Sequence, residues 1–212
     1  MSLLWCPQEF ALIQPAMLNR DAILWFPLRV RHSSTPRLMT MKERLEKEDG
    51  ITETYIPMEY RTENFHTELV PAINNIIFVR CTYNNLKDIR QNQQLFEPLR
   101  YIMHPVFDGK ETTSEVLYVP DHMMRTFIRV TSERQSDVIF LDNLDFACKP
   151  GMKACITEGL YTGVVGVVKR IKKNLCLVIP IEGVIAAAIL HVPRKNLRYI
   201  SEEEYEAQKT QG

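Results

Sequence analysis

Apolar positions recur with a period of two over residues 24–32 (LWFPLRVRH), where Leu24, Phe26, Leu28 and Val30 alternate with Trp25, Pro27, Arg29 and Arg31. That is the period of a strand with one buried face. Pro27 has no N–H to give to a ladder, so it belongs at the strand's start, on an unpaired side or at a bulge. The period lengthens in STPRLMTMKERLEKEDG: Thr35 can cap, Pro36 suits the first helical position, Leu38, Met41 and Leu45 share a face, and Gly50 can end the helix. Residues 51–57 read as a second strand and 58–67 as a polar hairpin arm or loop. Residues 69–80 read as a third strand whose end, Ile76 to Val79, is apolar enough for burial on both faces. A helix over 84–94, anchored by Leu86 and Ile89, precedes short strands at LRYIMHP and VLYV. Pro120 and Asp121 then open a helix in which Met123, Phe127 and Val130 align. The order β α β β α β β α predicts an α+β unit with helices packed on a mixed sheet.

After the polar run SERQSD, residues 132–137, only short strands are readable: VIFL, KACITEG, VVGVVKRI, LCLVIPI and AAAILHVP. Five strands with turn signals between them and no room for a helix predict a small all-β barrel, closed or half-closed. The expected organisation is an extension over 1–22, a sheet-and-helix domain over 23–131, a linker over 132–137, a barrel over 138–200 and an acidic tail over 201–212.

Composition narrows the class. With 45% hydrophobic and 25% charged residues, 8 Gly and 12 Pro, the 212-residue chain is globular rather than collagen-like, mucin-like or disordered. Its longest apolar run, Val184 to Leu190, is far short of the roughly twenty residues a bilayer needs. The first twenty residues lack the basic start and continuous apolar run of a signal peptide, so the expected place is the cytoplasm, away from membranes. Net charge is zero, but residues 149–200 hold nine Lys or Arg against two Glu, a net of +7, while four Glu follow in the tail. Such a basic module suits a polyanionic partner. Cysteines at 6, 81, 148, 155 and 176 form no CxxC pair and read as free thiols.

No phosphate-binding glycine loop, HExxH or GxSxG occurs, and the five histidines are scattered. The expectation is a protein without catalytic residues, cofactor or metal. The distinctive stretch is PGMKACITEGLYTGVVGVVKRI, where Gly151, Gly159, Gly163 and Gly166 recur among alternating apolar residues. Gly166 within VVGVVK marks a bulge or a close backbone approach. Any small barrel with glycine corners could use such residues. Their order, with Leu160 and Tyr161 after Gly159 and Lys169 and Arg170 at the end, resembles the KOW motif of NusG and certain ribosomal proteins.

The first half resembles the NusG N-terminal domain: Trp25 and Phe26 open a strand before a helix, TYIP ends the next strand, VPAINNIIFV leads into the apolar strand, and Val-Pro-Asp at 119–121 starts the closing helix. The likeness covers about residues 23–200, and the Val-Pro-Asp helix and Tyr-Ile-Pro strand look most like the UpxY-type paralogues that act as antiterminators of capsular-polysaccharide operons. It implies a monomeric transcription elongation or antitermination factor whose N-terminal domain docks on RNA polymerase. The matching positions are Trp25, Arg29, Ile73 and Ile76, with aliphatic residues where the family usually has Phe and Pro-Gly-Tyr. The barrel would take nascent RNA, a ribosomal protein or a termination factor, through Tyr161, Lys169, Arg170, Lys172 and Lys173, and non-template DNA is a further partner expected of the whole protein.

Core packing and a solvated hairpin tip are the alternatives for these two sets. Alternation puts Trp25 with Arg29 and Arg31, a face suited to a partner; Ile73 and Ile76 stand open between interface and core. Asn174 can supply the left-handed residue of a tight turn that clusters the lysines. The rival assignment is a KOW-containing RNA-binding or ribosome-associated protein.

Overall fold

The computed structural model describes residues 18–107, 112–132, 137–141, 151–171, 173–181 and 183–210. Its first half runs β1 (Leu24–Val30), α1 (Thr35–Leu45), β2 (Glu53–Tyr55), β3 (Met58–Glu63), β4 (His66–Pro71), β5 (Ile76–Cys81), α2 (Tyr83–Asn92), β6 (Leu99–Tyr101), β7 (Met103–Phe107), β8 (Thr112–Val116) and α3 (Asp121–Ser132). Its second half runs β9 (Val138–Leu141), β10 (Lys153–Ile156), β11 (Val165–Ile171), β12 (Asn174–Ile181), β13 (Ile185–Ile189), β14 (Leu197–Ile200) and α4 (Glu202–Thr210). The fold is a mixture of sheets and helices, α+β as expected. None of the described helices is long and apolar enough to cross a membrane.

The first sheet has the order β2-β5-β1-β6, with β3–β4 and β7–β8 as separate hairpins. Residues 69–80 are therefore two strands, not one. Pro71 ends the β3–β4 hairpin and a turn through 72–75 redirects the chain, so that Ile76 enters the main sheet opposite Arg29. Pro27 sits in the middle of a central strand. The N–H groups of Trp25 and Arg31 point to the β6 side, reaching the Val119 and Pro98 carbonyls, whereas that of Val30 points to Asn75. By alternation the donor Pro27 lacks would also face the β6 side, and there β6 pairs only with Leu28, Arg29 and Val30.

The two faces of this sheet have different covers. Phe26, Leu28, Val30, Ile77, Val79 and Cys81 form a core with Leu38, Met41 and Leu45 of α1 and Leu86 and Ile89 of α2. Trp25, Ile76 and Phe78 point the other way, into a cluster with Met124, Phe127 and Val130 of α3 and residues of the second half.

The second sheet is antiparallel, in the order β14-β10-β11-β12-β13-β9. It is not a closed barrel: among the described residues β9 pairs only with β13 and β14 only with β10, leaving two edges. It has six strands rather than five, because LRYI forms β14 beside β10. Its apolar residues Leu177, Ile179, Ile181, Ile185, Ala187 and Ile189 share the Trp25 cluster, while Cys176, Val178, Ala186 and Ala188, on the opposite face, form a smaller cluster of the second sheet alone. Helix α3 packs against β1, β12 and β13, so it lies between the two sheets. The expected linker runs from Ser132, the end of α3, to Asp137, and its residues 133–136 lie outside the described residues, as do 1–17 of the extension. The tail is helical, and the backbone N–H of Glu204 donates to Ser201 Oγ at 3.2 Å in an N-cap.

Candidate functional site

The alternation of β1, β2 and β5 places Glu53, Tyr55, Trp25, Pro27, Arg29, Ile76, Phe78 and Arg80 on the face turned away from α1 and α2. Across that face the chemistry changes from a polar cluster through an apolar middle to an open basic rim.

At the polar end the clasp is built on Asp121, in the first turn of α3, where a carboxylate also suits the helix dipole. Its Oδ1 accepts from Trp25 Nε1 at 2.9 Å and from Arg80 Nε at 2.7 Å. Arg125, one turn on, lies 3.5 Å from Asp121 Oδ2, donates to Glu53 Oε1 at 2.9 Å and stands over the Trp25 ring, 5.6 Å from its centroid. Burial works to raise the Asp121 pKa, but hydrogen bonds from Arg80 and Trp25 and the charges of Arg80 and Arg125 outweigh it and hold the carboxyl below its ordinary value. Trp25 is thus a core residue, fully buried, with its indole N–H and one ring face already engaged. The expectation of an open aromatic anchor at this position is corrected: the arginine-bearing face is real, but α3 covers its tryptophan end, and the second sheet packs on α3 in the same cluster.

The apolar middle is closed too. Ile76 is buried, and Ile73 packs partly buried against the same cluster. Polar contacts tie α3 at its far end: Tyr55 Oη and Thr131 Oγ1 lie 2.5 Å apart, and the Arg129 guanidinium donates to the carbonyls of Leu160 at 2.7 Å and Thr162 at 3.2 Å. These last two bonds cross from the first half to the turn between β10 and β11. Tyr161, in that turn, is buried in the shared cluster and is not a surface contact.

Only Arg29, of the four residues expected to hold polymerase, is exposed. It lines an open cleft of about 480 Å³ with Val30, Arg31, His32, Ser33, Asn74 and Asn75. In the β1–β6 ladder Arg29 lies directly opposite Arg100, a like-charge pairing that ordinarily disfavours a sheet. Glu97 offsets part of that charge: the Arg100 hydrogen bond, and then the nearby charges of Arg100, Arg31 and Arg37, keep its carboxyl below its ordinary range.

The glycines of the second sheet have local causes. A Cβ on Gly166, paired with Ala154, would lie 2.5 Å from the Val178 carbonyl oxygen, so β11 and β12 approach too closely for a side chain there. Gly163 has φ +85° and closes the turn by donating its N–H to Ile156 O at 2.8 Å. Gly159 shares that turn, and Gly151 packs under Val167. Of the basic set, Arg170 and Lys173 are exposed, Lys169 is half-buried, and Lys172 lies outside the described residues. Lys173, not Asn174, holds the left-handed turn position, at φ +72°, because Asn174 is already paired with Ile171.

The clasp residues Asp121, Arg80, Arg125 and Arg129 are absent from the sequence-based set. Only Asp121 carried a signal, as the first residue of a helix. No group of three or more His, Cys, Asp or Glu that could hold a metal occurs among the described residues.

No family model matches the chain, and no curated protein matches it. Among solved structures it is similar to the one described as "Domain interaction in Thermotoga maritima NusG", at 16% identity and a TM-score of 0.42, over 85% of this chain and 98% of that one.

Proposed function

We propose that the chain is a transcription elongation and antitermination regulator of the NusG type, which acts by binding and performs no covalent chemistry. The observation that carries this reading is the face of the first sheet bearing Trp25, Ile76 and Arg29, with Ile73 beside it in the turn before β5. Its own helices α1 and α2 leave it bare, and its apolar middle is covered by α3 and the second sheet. Such a cover buries apolar area that would otherwise drive association. Apolar packing makes up most of it, and the polar contacts described across its edge, from Arg129 to the carbonyls of Leu160 and Thr162, exchange readily for water or for a partner's groups. In this reading RNA polymerase takes the place of the second sheet against Ile73, Ile76 and α3, with Arg29 at the rim. The released second half recruits nascent RNA, a ribosomal protein or a termination factor. The Val-Pro-Asp helix start and the Tyr-Ile-Pro strand favour the specialised antiterminators of capsular-polysaccharide operons within that group.

Capture of core RNA polymerase by the immobilised full-length chain tests the reading. Wild type should bind, and Arg129→Ala, which removes the bonds to Leu160 and Thr162, should bind several-fold more tightly because the cover opens more often. Capture by neither protein would overturn it. A second reading, an RNA-binding or ribosome-associated protein, is favoured by the net +7 of residues 149–200 and gains if the chain binds RNA with a steep salt dependence but ignores polymerase.

A further inference from the structure

The acidic tail folds back on the module it follows. Tyr205 of α4 is buried, and Lys153 Nζ lies 4.4 Å from its ring centroid. Glu202 Oε1 is 3.4 Å from the same ammonium. Glu204 meets Arg198 with both oxygens: Nη2 donates to Oε1 at 2.7 Å and Nη1 to Oε2 at 3.2 Å. Lys153 is paired opposite Ile200 and Arg198 opposite Cys155, so both basic side chains share the sheet face on which the helix lies. A planar two-point contact of this kind is also how a guanidinium holds a phosphate.

Around it the surface has a composition suited to a phosphodiester chain. Strand β14 is an edge of its sheet. Arg194 and Lys195 are exposed in the short turn that leads into it, Arg198 is exposed on the strand, and Tyr199, 48% exposed, projects from its other face. A polymer lying along this edge would meet cations at successive positions and an aromatic ring on which a base can stack. An acidic protein segment would use the cations but not the ring. Surface ion pairs are weak and fade with salt, so α4, anchored by one buried tyrosine, is held loosely enough to exchange.

We propose that the edge formed by Arg194, Lys195, Arg198 and Tyr199, with Lys153 beside it, binds single-stranded nucleic acid. In this proposal α4 is an internal competitor whose Glu202 and Glu204 occupy the places of two backbone phosphates. The inference rests on the nucleic-acid part of the reading above and assigns it to residues other than the β11–β12 hairpin.

The test is fluorescence anisotropy with labelled oligouridylate and oligothymidylate of equal length, on the full chain and on its Glu202→Gln/Glu204→Gln variant, over a series of salt concentrations. The variant should bind about 3- to 10-fold more tightly, and its plot of log affinity against log salt should steepen by about 1.4, two phosphates at about 0.7 each. Arg198→Gln added to that variant should reverse much of the gain, and Tyr199→Ala should weaken binding about 5-fold or more. The relative affinity of the two oligomers tells RNA from DNA. Unchanged affinity and slope in the Gln variant would overturn the competitor role. Absence of binding at low salt by any form, or equal displacement by polyglutamate of matched charge, would overturn the nucleic-acid site. Polymerase capture by the same preparations is scored separately, so failure here and failure of the transcription reading are told apart.

Discussion

The apolar residues on the two faces of the first sheet are buried equally well and by different means. Phe26, Leu28, Val30, Ile77 and Val79 lie under α1 and α2, which follow the strands closely in the chain and meet them through apolar side chains. Trp25, Ile76 and Phe78 lie under α3 and a second sheet that begins more than a hundred residues beyond Trp25, and that cover is edged by Asp121, Arg125, Thr131 and Arg129. A face sealed by apolar packing opens only when the domain unfolds. A face sealed partly by hydrogen bonds to charged groups can open while the first domain stays folded, because those groups find partners in water. Equal burial therefore does not mean equal permanence.

The largest expected effect breaks the permanent face. Phe26→Ala removes a fully buried ring from between the sheet and the helices and should lower unfolding free energy by about 3 to 5 kcal/mol in a urea titration. Cys81 reports the same event. Burial pushes its thiol up to about 12, so at pH 8 it is protonated and inaccessible, and iodoacetamide should leave it unmodified in the native wild type. In the Phe26→Ala protein its labelling should accelerate roughly a thousandfold, the equilibrium factor for about 4 kcal/mol. Rapid labelling of Cys81 in native wild type would show that this face is not permanently sealed.

A smaller effect is expected at the clasp. Asp121→Asn keeps an oxygen for the Trp25 indole but removes the charge that Arg80 and Arg125 share, which should cost about 1 kcal/mol because the carboxylate is part exposed. The pH dependence has a definite sign. The folded pKa of Asp121 lies below its ordinary value, so its contribution is complete above the ordinary carboxylate range and is lost as pH falls through the folded pKa. Wild type should therefore lose the clasp in acid, and the Asn variant should lack that component. Identical acid profiles for the two proteins, followed by Trp fluorescence, would show that Asp121 does not hold the cover.

Much of the permanent face was legible in the chain, because a two-residue period in β1 and a helical period at Leu38, Met41 and Leu45 are local facts. The exposure of Arg29 follows from the same alternation. The cover on Trp25 was not legible: its hydrogen-bond partner lies 96 residues away, and a tryptophan beside arginines looks the same whether a partner protein or the chain's own second half lies over it. Period alone likewise cannot tell an open sheet from a closed one, since both alternate inward and outward positions. Strand β14 went unread because LRYI follows directly on the polar run PRKN and has Arg198 within it, so no apolar run marks it off from the turn before it. With it went the basic edge that α4 covers.

The smallest expected effect separates the two faces most cleanly. Arg129 is exposed, lies at the end of α3 and, among the described residues, donates to backbone carbonyls of the β10–β11 turn, so Arg129→Ala leaves both apolar clusters intact. Its cost in global stability should be under about 1 kcal/mol. Hydrogen exchange should nevertheless change unevenly. The amide of Gly163, bonded to Ile156 O, and that of Val164, bonded to Tyr161 O, should exchange faster, because the turn they close loses its tie to α3. The amides of β1 and β5 should keep wild-type rates, since their ladder and helical cover are untouched. Acceleration spread evenly over both regions would mean that the halves open only by global unfolding. The two faces of the first sheet would then be equally permanent, and the turn would carry no separable contact.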